Sequence, residues 1–240
     1  MFRRFTTPAP PFTISGVTYD DAAGVAETST LAFYHTDQHW RALWGSTPMD
    51  KIMRGASARM SQGLASDRAR TRHIKAVYRA TGKVIGYARW ILPEDNDSIR
   101  WVDAKTREPS VQQAGAFEVA YEAYTEDGRA RWMDGEMYKA LDTPIREAEI
   151  EEMRAHEGPF LVLEYLAVHP DHQRKGVAST LVERGLEQAD AVGMKVWVMS
   201  TAAAQPLYEK LGFELFRTVE TDVTRFGISE PHRKALLMRR

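Results

Sequence analysis

The sequence predicts a mixed α/β domain built on a single sheet. Three observations carry this. Phe160–Val168 (FLVLEYLAV) is an almost unbroken apolar run, which reads as a strand buried on both faces. His169, Pro170 and Asp171 break it, and a helical pattern follows, so a strand delivers a helix N-terminus. Two β-rich runs, 73–80 and 83–92, flank Thr81-Gly82 as a hairpin, and two more strands close the chain. Strands that alternate with helices and end in a meander give one mixed sheet.

Length and composition set bounds. At 240 residues, one domain carrying an insertion is expected rather than two full domains. Hydrophobic residues make up 43%, enough for a sizeable core. The 32 basic and 33 acidic residues leave a formal charge of -1, which gives no support for a nucleic-acid-binding surface. The chain has no cysteine, so disulfides, a cysteine nucleophile and thiolate metal sites are excluded. No apolar run approaches the ~20 residues of a membrane span. The opening stretch has two arginines but lacks the apolar core of a secretory leader. A soluble cytoplasmic protein, with no membrane partner, is the expectation.

Residues 1–11 (MFRRFTTPAPP) read as a flexible, proline-rich lead, and 12–240 as the domain. A first strand is expected over 12–19. Asp20 or Asp21 then caps a helix whose partly apolar face includes Val25, Ala26 and Phe33. The stretch 34–44 (YHTDQHWRALW) is dense in aromatic and histidine residues, and 49–64 forms a further helix after Gly45, Ser46 and Pro48. The 73–92 hairpin ends at 93–98 (PEDNDS). The least readable section is 99–158, taken as a helical insertion; its one clear helix is 144–156, with Pro144 in the first turn and Thr143 or Asp142 as cap. The acidic run 147–157 is most simply a solvated face. After the loop at 173–176, Ala178, Leu181, Val182, Gly185, Leu186 and Ala189 mark one helix face, ended by Gly193. The remaining elements are a strand over 194–199, a short helix from Pro206 to Gly212, and strands over 213–219 and 233–238.

The chemistry concentrates at Gln173-Arg174-Lys175-Gly176-Val177-Ala178. Gly176 permits close backbone approach, and the N–H groups at a helix start form a seat for phosphate. The plain alternative is an ordinary strand-to-helix turn with two solvated cations. The hexapeptide resembles the pyrophosphate loop of the GNAT superfamily of acyl-CoA N-acyltransferases, written [Q/R]-x-x-G-x-[G/A]. The strand ending Leu166-Ala167-Val168-His169-Pro170 before it, and Leu207-Tyr208-Glu209-Lys210-Leu211-Gly212-Phe213 after it, also resemble the family in order and spacing. The likeness covers 160–216 closely and 12–92 diffusely. In the family's compact form a short link joins the hairpin to the pyrophosphate strand, whereas about 60 residues intervene here.

The resemblance implies a GNAT-like fold and transfer of acetyl from acetyl-CoA to an amine, by direct attack in a ternary complex without a metal. It implies that Gln173, Arg174, Lys175, Gly176, Val177, Ala178 and Ser179 bind the cofactor diphosphate. It implies that backbone groups of Leu166, Ala167 and Val168 pair with the pantetheine arm as an added strand, where an N–H could polarise the thioester carbonyl. Where the family often has Asn, this chain has Ser200 as the substitute contact. Two residues are candidates for catalysis. Glu164 interrupts the apolar strand; burial without a cation would raise it above the ~4.3 of free glutamate and suit a general base, since a lysine-like amine of pKa ~10.4 must lose a proton to attack. The alternative is a structural pair with an arginine of the next strand or of the insertion. Tyr208 lies where the resemblance places a tyrosine near the CoA sulfur, and a phenol of pKa ~10 could donate to the departing thiolate of a ~8.5 thiol. The alternative is a packed core tyrosine. Tyr34, His35, Trp40 and Trp44 form either the acceptor-pocket wall that the family builds here or a hydrophobic staple under the sheet edge. His35 and His39, four apart, lack the H-E-x-x-H frame and, with His169 and His172, read as surface or packing residues. The other functions left open are an acyl-CoA-binding module without turnover and a transferase of a longer acyl group. The acceptor stays open among polyamine, aromatic amine, aminoglycoside-like compound, amino acid and protein amine, with a small molecule favoured and the chain a monomer or homodimer.

Overall fold

The computed structural model describes residues 10–94 and 99–240. The expected lead over 1–11 therefore lies outside the described residues apart from Pro10 and Pro11, as do residues 95–98 of the stretch closing the hairpin. The elements run β1 (Phe12–Gly16), α1 (Ala22–Thr36), α2 (Gln38–Ala42), α3 (Met49–Ala65), β2 (Thr71–Tyr78), β3 (Val84–Ile91), α4 (Val111–Tyr124), β4 (Thr125–Glu126), β5 (Arg129–Ala130), α5 (Gly135–Ala155), β6 (Phe160–Val168), α6 (Val177–Asp190), β7 (Lys195–Thr201), α7 (Gln205–Lys210), β8 (Glu214–Thr221) and β9 (His232–Arg239). Seven strands make one sheet in the order β1-β2-β3-β6-β7-β9-β8, and β4 pairs with β5 in a small hairpin. Within the large sheet only β6 and β7 run parallel.

One face of the sheet is covered by α6. Its buried positions Val177, Leu181, Val182, Leu186 and Ala189 pack on Ala88, Trp90, Leu161, Leu163 and Val196. The helix approaches so closely that a Cβ at Gly185 would stand 2.2 Å from the Trp90 indole. Only a residue without a side chain fits there. On the other face, α1 and α3 cover β3 and β6. Beside them α5 brings Ile145 and Ala148 onto Phe160, Trp197 and Leu236.

The section 99–158 holds α4, the β4–β5 hairpin and α5. The helix expected over 144–156 starts instead at Gly135, capped by Asp134, whose carboxylate accepts the Met137 N–H at 2.9 Å. Pro144 thus sits mid-helix, where it removes one backbone hydrogen bond at a cost of about 3 kcal/mol. Burial of Met137, Leu141, Ile145 and Ala148, spaced at helical intervals, offsets that cost. Nor is the acidic run wholly solvated. Glu149 is buried and accepts the Trp197 indole N–H at 3.0 Å, with Arg146 at 3.2 Å on its other oxygen.

Candidate active site

The site begins where β6 and β7 part. Their pairing runs from Phe160↔Lys195 to Leu163↔Val198 and stops. Beyond it, β6 stays with β3 as far as Val168 and β7 stays with β9 as far as Thr201. The cause lies in β6. Leu163 faces Trp90 and Tyr165 faces Arg89, so Glu164 has no partner on β3. An extra residue of this kind is a bulge, which bends its strand and increases the twist. It also shifts the alternation: Leu161, Leu163, Leu166 and Val168 all serve the α6-side core, while Tyr165 joins the cluster under α1.

The gap opens a cleft of about 550 Å³. Leu166, Ala167 and Val168 line one wall; Thr201, Pro206, Leu207 and Lys210 line the other; Ala32, Phe33 and Thr36 of α1 close the side. The His169 N–H bonds the Ile85 carbonyl at 2.9 Å. Strand alternation therefore turns the polar backbone groups of Val168 and Leu166 away from β3 and into the gap. The Val168 carbonyl accepts from Gln173 Nε2 at 3.2 Å, whereas Leu166 has no strand opposite it.

Gln173, Arg174 and the α6 start, Gly176, Val177, Ala178 and Ser179, form the far end of the cleft. Gly176 is the N-cap of α6 with φ +81°, and no side chain bonds the first-turn N–H groups. These amides have no carbonyl partner within the helix, and the first turn carries no acidic residue. A left-handed turn with exposed amides beside an unpaired strand edge fits a diphosphate joined to an extended amide-bearing arm. Two sequence candidates stand apart from the lining. Lys175 folds back so that Nζ donates to the Asp171 carbonyl at 2.7 Å. Ser200 is buried with its Oγ donating to the Thr201 carbonyl at 2.8 Å, and Thr201 takes the place on the wall.

Glu164 is not buried alone. Its side chain is 33% exposed, and Oε2 lies 2.6 Å from Arg89 Nε. Tyr208 is packed in the core with its ring edge-on to Phe213 at 5.5 Å, and burial pushes its phenol well above the usual range. Its neighbours on α7, Leu207 and Lys210, are the ones that line the cleft.

A second cavity of about 230 Å³ lies under α1, α2 and α3. Trp40 and Trp44 line it; Tyr34 and His35 do not, and instead pack edge-on to each other, with Arg41 stacked on Tyr34. Tyr165 and Arg89 bring β6 and β3 into the same wall. Phe33, on the first cleft, meets Tyr165, on this cavity, edge-on at 5.2 Å. The two hollows thus share an aromatic partition, and Glu164, next to Tyr165 in β6, is on the lining of neither. Burial pushes the Tyr165 phenol up to about 12. His73, bonded through Nδ1 to the Tyr87 hydroxyl at 2.8 Å, is pushed down to about 3 by burial and by Arg89 and Arg72. His39 is a packing residue: Nε2 sits 2.9 Å from the Glu230 carbonyl and the ring lies 5.0 Å from His232. Among the described residues no group of three His, Cys, Asp or Glu could hold a metal ion.

Comparison with known proteins adds the decisive observation. The model of the Acetyltransferase (GNAT) family matches residues 34–213, three quarters of the chain. The chain belongs to that family. Among solved structures, this GNAT acetyltransferase is similar to the C-terminal condensation domain of Ebony in complex with beta-alanyl-dopamine, at 11% identity and a TM-score of 0.60, covering 96% of this chain and 99% of that one. It is similar to the polyamine N-acetyltransferase of Drosophila melanogaster, which forms N-acetylagmatine, at 14% identity and a TM-score of 0.55, covering 95% and 98%. It is also similar to a histone acetyltransferase HPA2-related acetyltransferase from Corynebacterium glutamicum ATCC 13032, at 14% and 0.55, covering 95% and 96%. At such identities the likeness is one of fold.

Arg59, Arg89, His73 and Tyr165 are the lining residues the sequence argument passed over. Arg89 could have been found: it is the one charge inside β3, as Glu164 is inside β6, and two lone opposite charges in adjacent apolar strands point to a pair. Arg59 carries no such signal on a helix rich in polar residues. Glu164 itself lines neither hollow; its partner Arg89 and its neighbour Tyr165 line the second.

Proposed function

We propose that this GNAT acetyltransferase transfers the acetyl group of acetyl-CoA to the nitrogen of a small amine, with both molecules bound at once. The observation that carries this is the Phe33–Tyr165 contact, across which the first cleft and the second cavity meet, with Glu164 next to Tyr165 in β6 and paired with Arg89 of the cavity lining. Bound acetyl-CoA supplies an activated acyl group on a thiol leaving group. The amides of 176–179 hold the diphosphate, and the free edge at Leu166 holds the arm. Glu164, kept in place by Arg89, takes the proton of the incoming amine directly or through a water. The amine nitrogen forms the new N–C bond as the C–S bond breaks, and sulfur keeps the electron pair. Burial holds the Tyr208 phenol protonated, and Leu207 beside it lines the cleft; we assign Tyr208 the part of a donor to the departing sulfur.

Free-thiol release by the purified chain with acetyl-CoA and a panel of amines tests this. The expected result is amine-dependent thiol release with an N-acetyl product of matching mass, slower in Tyr208→Phe at unchanged acetyl-CoA affinity. Tight acetyl-CoA binding with no amine-dependent release would leave a binding module instead.

A further inference from the structure

The cavity under α1 carries an excess of positive charge on its lining. Arg59 and Arg89 are the charged residues on its lining, and no Asp or Glu is among them. The carboxylate nearest the partition, Glu164, is already held by Arg89. Among the described residues Arg59 has no carboxylate partner. Its guanidinium lies 5.8 Å from the Trp44 ring centre, and Nη1 packs so tightly along α3 that a Cβ at Gly55 would stand 3.1 Å from it. The ionisable groups that act on it are the phenols of Tyr165 and Tyr121, and burial lowers its affinity for the proton. Trp44 Nε1 and His73 Nε2, on the same lining, are buried without a hydrogen-bond partner. A half-buried guanidinium without a counter-charge and a buried indole N–H left unpaired carry a cost, which falls when a ligand brings an anion to them.

We infer that the acceptor is a single amino acid, whose carboxylate pairs with Arg59 and whose apolar side chain lies against Trp44, Met60 and Met133. This rests on the acetyl-transfer reading above and names the substrate class for it. The volume is small for a ligand pocket and suits a compact molecule rather than a peptide or a long polyamine. The charge points the same way. A polyamine would bring further cations to a wall that already carries two guanidiniums, whereas an amino acid brings the missing anion along with the amine. With the carboxylate on Arg59, the α-amine is directed toward the partition where Glu164 can take its proton.

Matched pairs test the assignment: L-phenylalanine against 2-phenylethylamine, and L-methionine against its decarboxylated amine. Thiol release gives kcat/KM, and calorimetry in the presence of CoA gives binding of the same compounds without turnover. The amino acids should be preferred by about tenfold or more, the scale of one charge-assisted contact. Arg59→Gln should erase the preference by raising KM for the amino acid alone, and Arg59→Lys should restore part of it. Equal or better use of the decarboxylated amines overturns the inference, as does an Arg59→Gln variant that weakens both members of a pair alike. If Arg59→Gln does not fold, the pairs measured on the unaltered chain decide. Absence of thiol release with every amine would remove the acetyl-transfer reading itself. In that event calorimetry still decides the inference, since no binding of L-phenylalanine overturns it.

Discussion

The two hollows on either side of the Phe33–Tyr165 contact are made of different material. The cofactor cleft is built largely from backbone: amides at the start of α6, a strand edge at Leu166, and a glycine in a left-handed turn. The second cavity is built from side chains delivered by α1, α2, α3, β2, β3 and β6. Backbone donors tolerate many side chains as long as the turn keeps its shape. A side-chain wall changes its preference with a single replacement. One fold can thus keep one co-substrate and vary the other.

That contrast can be broken by variants that should act on one half only. The largest effect is expected from Glu164→Gln, which removes the proton acceptor at the partition and should lower kcat by about a hundredfold while leaving the calorimetric affinity for acetyl-CoA unchanged. A matching loss of acetyl-CoA affinity would show that the two halves are not separable. Gly176→Val comes next. No atom lies within 4 Å of the Cβ it would add, so any damage comes from forcing a branched residue to φ +81° and disturbing the first-turn amides. Acetyl-CoA affinity should fall about tenfold with a smaller effect on saturated turnover; unchanged affinity would take the turn out of the cofactor site.

The smallest effect sharpens the side-chain half. His73 titrates near 6.5 when free but at about 3 when folded, because burial and two arginines disfavour its charge. Below pH 6.5 the unfolded chain binds a proton that the folded chain refuses. Stability should therefore fall as pH drops from 6.5 toward 3, and be flat in this respect above about 7.5. By pH 5 the contribution is about 2 kcal/mol. His73→Gln should reduce the slope of denaturation midpoint against pH over that window. An unchanged slope would mean that His73 is charged in the folded chain.

The same division explains what could be read from the chain. Loop, strand and glycine are contiguous over 160–178, and their chemistry follows from backbone geometry that the sequence dictates locally. Most of the cofactor candidates accordingly fall on one cleft. Ser200 and Lys175 were judged by residue type, and both turn to backbone carbonyls outside the lining. The cavity needs residues as distant as Trp40, Arg59, Arg89 and Tyr165 to meet, which is a matter of packing. Trp40, Trp44, Tyr34 and His35 cluster in sequence, but Tyr34 and His35 end α1 outside the cavity lining while the two tryptophans follow the turn at Asp37 and enter it. The hairpin follows from alternation and glycine, whereas strand ends do not: β1 stops at Gly16 rather than at 19, and β2 runs over Thr71–Tyr78 rather than 73–80. The start of α5 does not follow either, because a proline suggested a helix beginning where burial of Leu141 and Ile145 holds the helix through it.

A crystal structure with coenzyme A bound tests the central claim most directly. The account predicts diphosphate oxygens within hydrogen-bond distance of the amides of residues 176–179, with the pantetheine arm running along Leu166 between the parted strands. Coenzyme A seated elsewhere, with those amides still facing solvent, would contradict it.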